Sequence, residues 1–396
     1  MKNIIVILLI IVSCSAFPED TVSRQLTDTT LIAGEQSDTT ESTSRRFFGQ
    51  PLGLSPAADL RSIDGLFLGL SFKTKEDENQ LVNRQEISVL KSLRTKAIIL
   101  EYNAEWISVL KNTDIIINSM ADIRGNILNF FGRGNETLFD QSGDFRRFYR
   151  VNFSNYRFEP ALRFRPSTTL AFSIGPAIQH VVFDPNDNID RFINSANVAG
   201  QYADLREDKT HAGLVLNLNW DTRSHKDLPR RGYHFSLLLQ GFEGMNEYSR
   251  AFAQAFPQIS FYKSLDNRGR FVLANRTGAG FTIGNTEFYQ SAFLGSQDNL
   301  LGFRKFRFAG DHLLYNNLEL RIAFSRFIHR TLQDKVGLIG FYDVGRVWVR
   351  KETSSAIHHG YGAGAYVAVS NRWFLRGVAG FSEEGFQPTV SLRQRF

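Results

Sequence analysis

From about residue 64 to its end the chain alternates apolar and polar side chains with a period of two. Leu214, Leu216, Leu218 and Trp220 alternate with Val215, Asn217, Asn219 and Asp221. Ile98, Leu100, Tyr102 and Trp106 share one face, with Ile99, Glu101, Asn103 and Glu105 on the other. Leu318, Leu320, Ile322 and Phe324 likewise alternate with Glu319, Arg321, Ala323 and Ser325. A two-residue period is the signature of a strand with two unlike faces. In a soluble sandwich or propeller each greasy face needs a second sheet, and each buried polar group needs a partner. A cylinder with hydrocarbon outside and water inside meets both demands. The pattern therefore predicts an all-β fold, a transmembrane antiparallel β-barrel of the outer-membrane type.

Fifteen such runs are legible, near 64–73, 85–95, 97–110, 113–124, 146–159, 167–183, 211–223, 233–243, 249–263, 268–284, 312–327, 335–349, 361–370, 372–381 and 386–396. Bacterial single-chain barrels have even strand numbers, so one more is expected within 45–60, giving about 16 strands. The turns at Lys111-Asn112 and Asp266–Gly269 are short, while 184–209 and 285–311 are long. Short turns at one end and long loops at the other are the usual asymmetry of such barrels.

The N-terminus, MKNIIVILLIIVSCSAFPED, has a Lys2 n-region, an apolar run over Ile4–Val12 and then small residues. It reads as a secretory signal peptide covering 1–16, too short to span a bilayer. Two cleavage sites fit. One follows Ala16; the other precedes Cys14 and would leave that residue acylated. Cys14 is the only cysteine, so a mature chain cut after Ala16 has neither disulfide nor thiolate metal site. Residues 17–48 are rich in Ser, Thr, Asp and Glu and read as a flexible segment with no room for a separate folded domain. The barrel is expected over 49–396.

The 46 Lys and Arg residues are scattered, without the focused stripe of a nucleic-acid interface. Catalytic constellations are weak. Ser224-His225 lies between Asp221 and Asp227 in one short turn, unlike a triad assembled across a fold. His358-His359 lacks a third spaced ligand. GRGNE at 132–136 lacks the Lys-Ser/Thr of a phosphate loop. No enzyme activity, cofactor or metal is expected.

One loop remains to be explained. NLLGFRKFRFAGD, residues 299–311, is too charged for a core strand and too aromatic for an idle surface loop. With the strand that follows, it resembles the loop of the bacterial surface antigen superfamily, which includes barrel-assembly factors and two-partner secretion transporters. The family hallmark is Arg-Gly-Phe/Tyr at the tip of a loop folded into the barrel; here Gly302 and Phe303 match and Leu301 replaces the arginine. VGLIGFYDVGRVW, residues 336–348, resembles the family's Phe-x-Asp-x-Gly strand through Phe341, Asp343 and Gly345. WDTRSHKDLPRRGYHFSLLL (220–239) and NFFGRGNET (129–137) resemble two further family segments. In the family the tip arginine pairs with acid on the inner wall, so the resemblance implies a lumen loop carried by Gly302, Phe303, Arg304, Arg307 and Gly310. Arg304 or Arg307 is expected to reach Asp343, on an inward face shared with Ile339 and Phe341. The final strand, with Val390 and Leu392 in phase and terminal Phe396, resembles the signal read by barrel-insertion machinery; Gln394 is an imperfection in that phase.

The resemblance implies an integral protein of the Gram-negative outer membrane that aids protein or lipid insertion or transport. Its expected partners are outer-membrane lipid, the barrel-assembly machinery for its own insertion, and a separate periplasmic or enzymatic partner. A passive or loop-gated channel is the alternative, since the polar faces would also line a pore.

Overall fold

The computed structural model describes residues 46–47, 50–61, 64–74, 83–195, 198, 204–226, 228–324, 335–350, 352–370, 373–391 and 395–396. The calls on Cys14, the signal peptide and Leu392, and most of 17–48, lie outside the described residues.

Sixteen long strands form the wall: β2 (Gln50–Arg61), β3 (Gly65–Thr74), β4 (Asn83–Ser92), β5 (Ile98–Leu110), β6 (Thr113–Asn129), β7 (Arg150–Phe164), β8 (Leu170–Val182), β9 (Lys209–Asp221), β10 (Gly232–Gly244), β11 (Phe252–Ser264), β12 (Phe271–Gly284), β15 (His312–Ala323), β16 (Val336–Trp348), β17 (His358–Ser370), β18 (Trp373–Ser382) and β19 (Gly385–Ser391). The sixteenth strand expected within 45–60 is β2. A two-residue strand, β1 (Arg46–Phe47), pairs with its first residues. Two short strands, β13 (Ala292–Leu294) and β14 (Phe308–Gly310), pair with each other inside the barrel. Each wall strand is antiparallel to the one before it. No described helix is long and apolar enough to cross a membrane.

Alternation survives into three dimensions. On β15, Leu314, Leu318 and Leu320 are exposed on the outer face, while Tyr315, Asn317, Glu319 and Arg321 are buried inside. On β16, Ile339, Phe341, Asp343, Gly345 and Val347 point inward and Leu338, Tyr342 and Trp348 outward, as expected. The exposed leucines and phenylalanines recur around the wall from β2 to β19, an apolar belt that a bilayer covers. Inward charges find partners: Arg163 donates to Asp114 at 2.9 and 2.7 Å, and Arg165 to the same carboxylate at 2.7 Å.

The largest shifts from the expected strand bounds are at β6 and β7. The run expected at 146–159 is β7 at 150–164, and β6 runs on to Asn129. Between them Phe145–Phe148 make one helical turn, because the Asp144 side chain accepts from the Arg147 amide. Propensity over 146–149 is overruled by this local cap.

The sheet curls until its ends meet, with β19 beside β2 and β9 beside β10. Gln141 Nε2, after β6, donates to the Glu384 carbonyl between β18 and β19 at 3.4 Å. Leu228, in the turn after β9, packs against Ile339, Tyr366 and Phe374 on β16–β18. The long connections 130–149, 183–208 and 285–311 all leave the same end of the barrel.

Candidate functional site in the lumen

Residues 285–311 fold into the barrel. The β13–β14 hairpin and a helical turn, Ser296–Asn299, bring the tip at 300–307 against the inner wall. Leu294, Leu300, Leu301, Phe303 and Phe308 are each almost wholly buried. The aromatic content of the loop is thus core, packed inside the cylinder.

The tip meets the wall backbone to backbone. Gly302 takes a φ of +91°, and a Cβ there would lie 2.7 Å from the Phe381 carbonyl oxygen. A Cβ on Gly360 of β17 would sit 1.7 Å from the Leu301 oxygen, so only hydrogen fits at both positions. Ser382 Oγ donates to the Gly302 carbonyl at 2.7 Å. Phe341 packs under Leu301 and Val378. Gly345 leaves room for Leu294, whose Cδ1 would be 2.9 Å from an added Cβ. Gly310 is similarly tight against Val347.

The loop cations do not reach Asp343, contrary to the sequence expectation. Arg304 stacks over Phe145 at 4.6 Å and Phe139 at 5.3 Å; burial, with Arg146 adding, lowers its pKa. Arg307 donates to Thr137 Oγ1 at 2.5 Å and to the Thr137 carbonyl at 2.6 Å, and it pairs with Glu384. Three rings, of Phe131, Phe139 and Phe308, surround its guanidinium within 4.6–5.5 Å. Both cations face the 129–149 connection, which folds over the loop. Asp343 lies beyond the tip, on the other side of Leu301.

Asp343 instead accepts the Leu301 amide at 2.7 Å and a two-pronged ion pair from Arg395, at 2.9 and 2.5 Å. Both side chains are essentially unexposed. Arginine suits this site because its planar fork matches a carboxylate and stays charged when buried. Phe396 follows Arg395 into the lumen and packs on Tyr262 and Ala274, with Arg276 over its ring at 4.8 Å. Val390 keeps the outer parity opposite buried Thr389, but Phe396 leaves that phase. Sequence reasoning counted Arg395 only as a strand residue. Its signal was the absence of an arginine at Leu301, which left Asp343 needing another cation.

The segment 129–137 completes the site. Asn135 Nδ2 donates to the Val347 carbonyl at 2.6 Å, and its Oδ1 accepts the Val347 amide at 2.9 Å. The Gly134 amide reaches the Ala309 carbonyl at 2.8 Å, and Arg133 pairs with Asp311. At the other end of the barrel Asp221 holds Arg223 at 2.9 and 2.8 Å, and Ser224 Oγ accepts the Arg230 and Arg231 amides. These side chains shape a turn.

The sequence matches no curated protein. The fold resembles BamA from Haemophilus ducreyi lacking POTRA domains 1–3, with a TM-score of 0.63 and 14% identity over 86% of this chain and 70% of that one. CdiB from Escherichia coli aligns with a TM-score of 0.50 and 13% identity over 93% of this chain and 67% of that one. The profile of the Omp85 superfamily domain matches residues 125–371, from the end of β6 through the lumen loop to β17. With its loop seated on the Phe341-Asp343-Gly345 wall, the chain belongs to the Omp85 superfamily.

Proposed function

We propose that this barrel resides in the Gram-negative outer membrane and assists insertion or passage of another polypeptide or lipid together with a separate partner. The observation that carries the reading is the seam. There the last wall strand, β19, lies beside the first, β2, and Arg395, beyond β19 in sequence, is held in the lumen by Asp343. Opening that seam would free two strand edges, and unpaired strand edges template added strands. Membership of a superfamily whose barrels include BamA and CdiB relatives supports the same reading. In this reading the lumen loop keeps the pore shut while the seam works.

The test is reconstitution into vesicles, followed by addition of a urea-unfolded eight-stranded outer-membrane barrel. Folding is followed by heat-modifiable gel migration. Several-fold faster folding than in empty vesicles, without steady conductance, supports the proposal. Unchanged folding rates with a steady unitary conductance that grows when 299–311 are deleted would overturn it in favour of a loop-gated channel.

A further inference from the structure

At the end of the barrel where the long connections leave, one sector of the rim is crowded with cations. Arg94 and Lys96 sit in the turn after β4, which antiparallel order places at that end. Arg146 and Arg147 lie in the helical turn before β7, Arg150 opens β7, and Arg191 belongs to the connection 183–208. These groups are neighbours in space. Arg146 and Arg304 lie 5.9 and 4.6 Å from the centroid of the same Phe145 ring. Arg191 Nη1 donates to the Arg150 carbonyl at 3.0 Å. Arg94, Arg146 and Arg191 all repel the Arg150 guanidinium. Burial, with repulsion by Arg147 adding, lowers the Arg191 pKa.

Among the described residues, none of Arg94, Lys96, Arg146, Arg147 and Arg150 makes an ion pair. The acids of this sector are fewer and mostly engaged. Asp64 is buried and accepts Thr95 Oγ1 at 3.1 Å. Asp144 caps the helical turn by accepting the Arg147 amide at 3.3 Å. Asp187 lies 3.6 Å from Arg124 Nε, and Asp190 is exposed beside Ile189. Like charges held together repel unless an anion is shared among them.

The same sector also exposes apolar side chains. Residues two apart share a strand face, so Val89, Lys91 and Leu93 point outward in succession from β4 into its turn, and all three are exposed. Phe148, next to Arg147, and Ile189, two residues before Arg191, are exposed as well. A lysine so placed lays its carbon stem along hydrocarbon and keeps its ammonium at headgroup level. An acidic polypeptide would satisfy the guanidinium groups and leave Val89 and Leu93, on the bilayer side, unmatched. An anion that carries acyl chains meets both. Guanidinium forks match phosphate oxygens two at a time, which favours phosphate as the charged group.

We infer that this sector of the rim binds a phosphorylated glycolipid of the outer leaflet, lipopolysaccharide, with its phosphates on Arg94, Arg146, Arg147 and Arg191 and its acyl chains along Val89 and Leu93. The inference rests on the placement proposed above, in the Gram-negative outer membrane, with the long connections outward. Such a lipid joins the 130–149 connection, which covers the lumen loop, to the turn after β4.

The test titrates bis-phosphorylated lipid A into the full folded barrel in neutral detergent and counts bound lipid by native mass spectrometry. Wild type is expected to bind saturably, and to bind dephosphorylated lipid A at least about tenfold more weakly, the loss of one or more charge-assisted bonds. Arg94→Gln and the double variant Arg146→Gln/Arg147→Gln should each weaken lipid A binding by about tenfold. Lys226→Gln/Arg231→Gln, exposed at the opposite end, should leave it unchanged. Heat-modifiable migration checks that each variant folds; if the double variant does not, Arg94→Gln carries the test. Equal binding of the two lipids, rim variants that bind like wild type, or polyglutamate binding more tightly than lipid A overturns the inference. Recovery of the barrel with the outer membrane on a density gradient tests the placement separately. A barrel found there that does not bind lipid A refutes this inference alone, and one that binds lipid A without speeding the folding of another barrel refutes only the proposed function.

Discussion

Asp343 and Arg395, 52 residues apart in sequence, form a two-pronged ion pair inside the barrel, and the same carboxylate accepts the Leu301 amide at the loop tip. One side chain therefore ties the lumen loop to the chain end that borders the seam. Replacing Asp343 with Asn strands Arg395 in a dry site, at an expected cost of about 3–5 kcal/mol. Protease susceptibility of the loop and thermal unfolding should both register it. A double-mutant cycle should give coupling between Asp343→Asn and Arg395→Gln and none between Asp343→Asn and Arg304→Ala. Coupling to Arg304 in place of Arg395 would contradict the geometry.

The loop's seat depends on missing side chains. Gly360→Ala forces a methyl against the Leu301 carbonyl, so the tip must lift from β17. Conductance is expected to appear, and the loop to be cleaved faster, while heat-modifiable migration is kept. Gly340→Ala, on the same wall with open space around its Cβ position, should change neither.

Arginine introduced at Leu318, on the outer face of β15, should destabilise the barrel by about 2–4 kcal/mol if that face meets the bilayer midplane. Folding into vesicles of defined thickness, followed by gel migration, measures this. A neutral result would show that Leu318 does not face hydrocarbon.

Glu384, in the turn between β18 and β19, has its carboxyl pKa raised by burial, with Arg307 acting in the opposite sense. A raised carboxyl pKa means that the folded state binds its proton more tightly than the unfolded state. This group's contribution to stability therefore improves as pH falls through the raised value and is lost as pH rises above it. Glu384→Gln should flatten that part of the pH dependence, read as loop protection from protease between neutral and mildly acid pH. An identical pH profile in wild type and variant would reject the role.

The wall was legible in the residues themselves. Each strand needs only that Leu318 and Leu320 face one way and Glu319 and Arg321 the other, and a period of two reports this locally. The inward placement of Asp343 followed from the same rule, and the strand within 45–60 from the even strand number of such barrels. The lumen loop was legible only through the resemblance of Gly302-Phe303 and the Phe341-Asp343-Gly345 strand to a family pattern; the structure supplies the physical reason at Gly302, where backbone packs against backbone. The partner of Asp343 was not legible. Arg304, Arg307 and Arg395 are equivalent in sequence, and the choice among them depends on distance across the lumen. The tertiary structure turns Arg304 and Arg307 toward the aromatic rings of the 129–149 connection and brings Arg395 to Asp343 from the far side. Alternation is set by neighbours along one strand. Which charge meets which is set by where the closed cylinder places strands distant in sequence, and no local period carries that information.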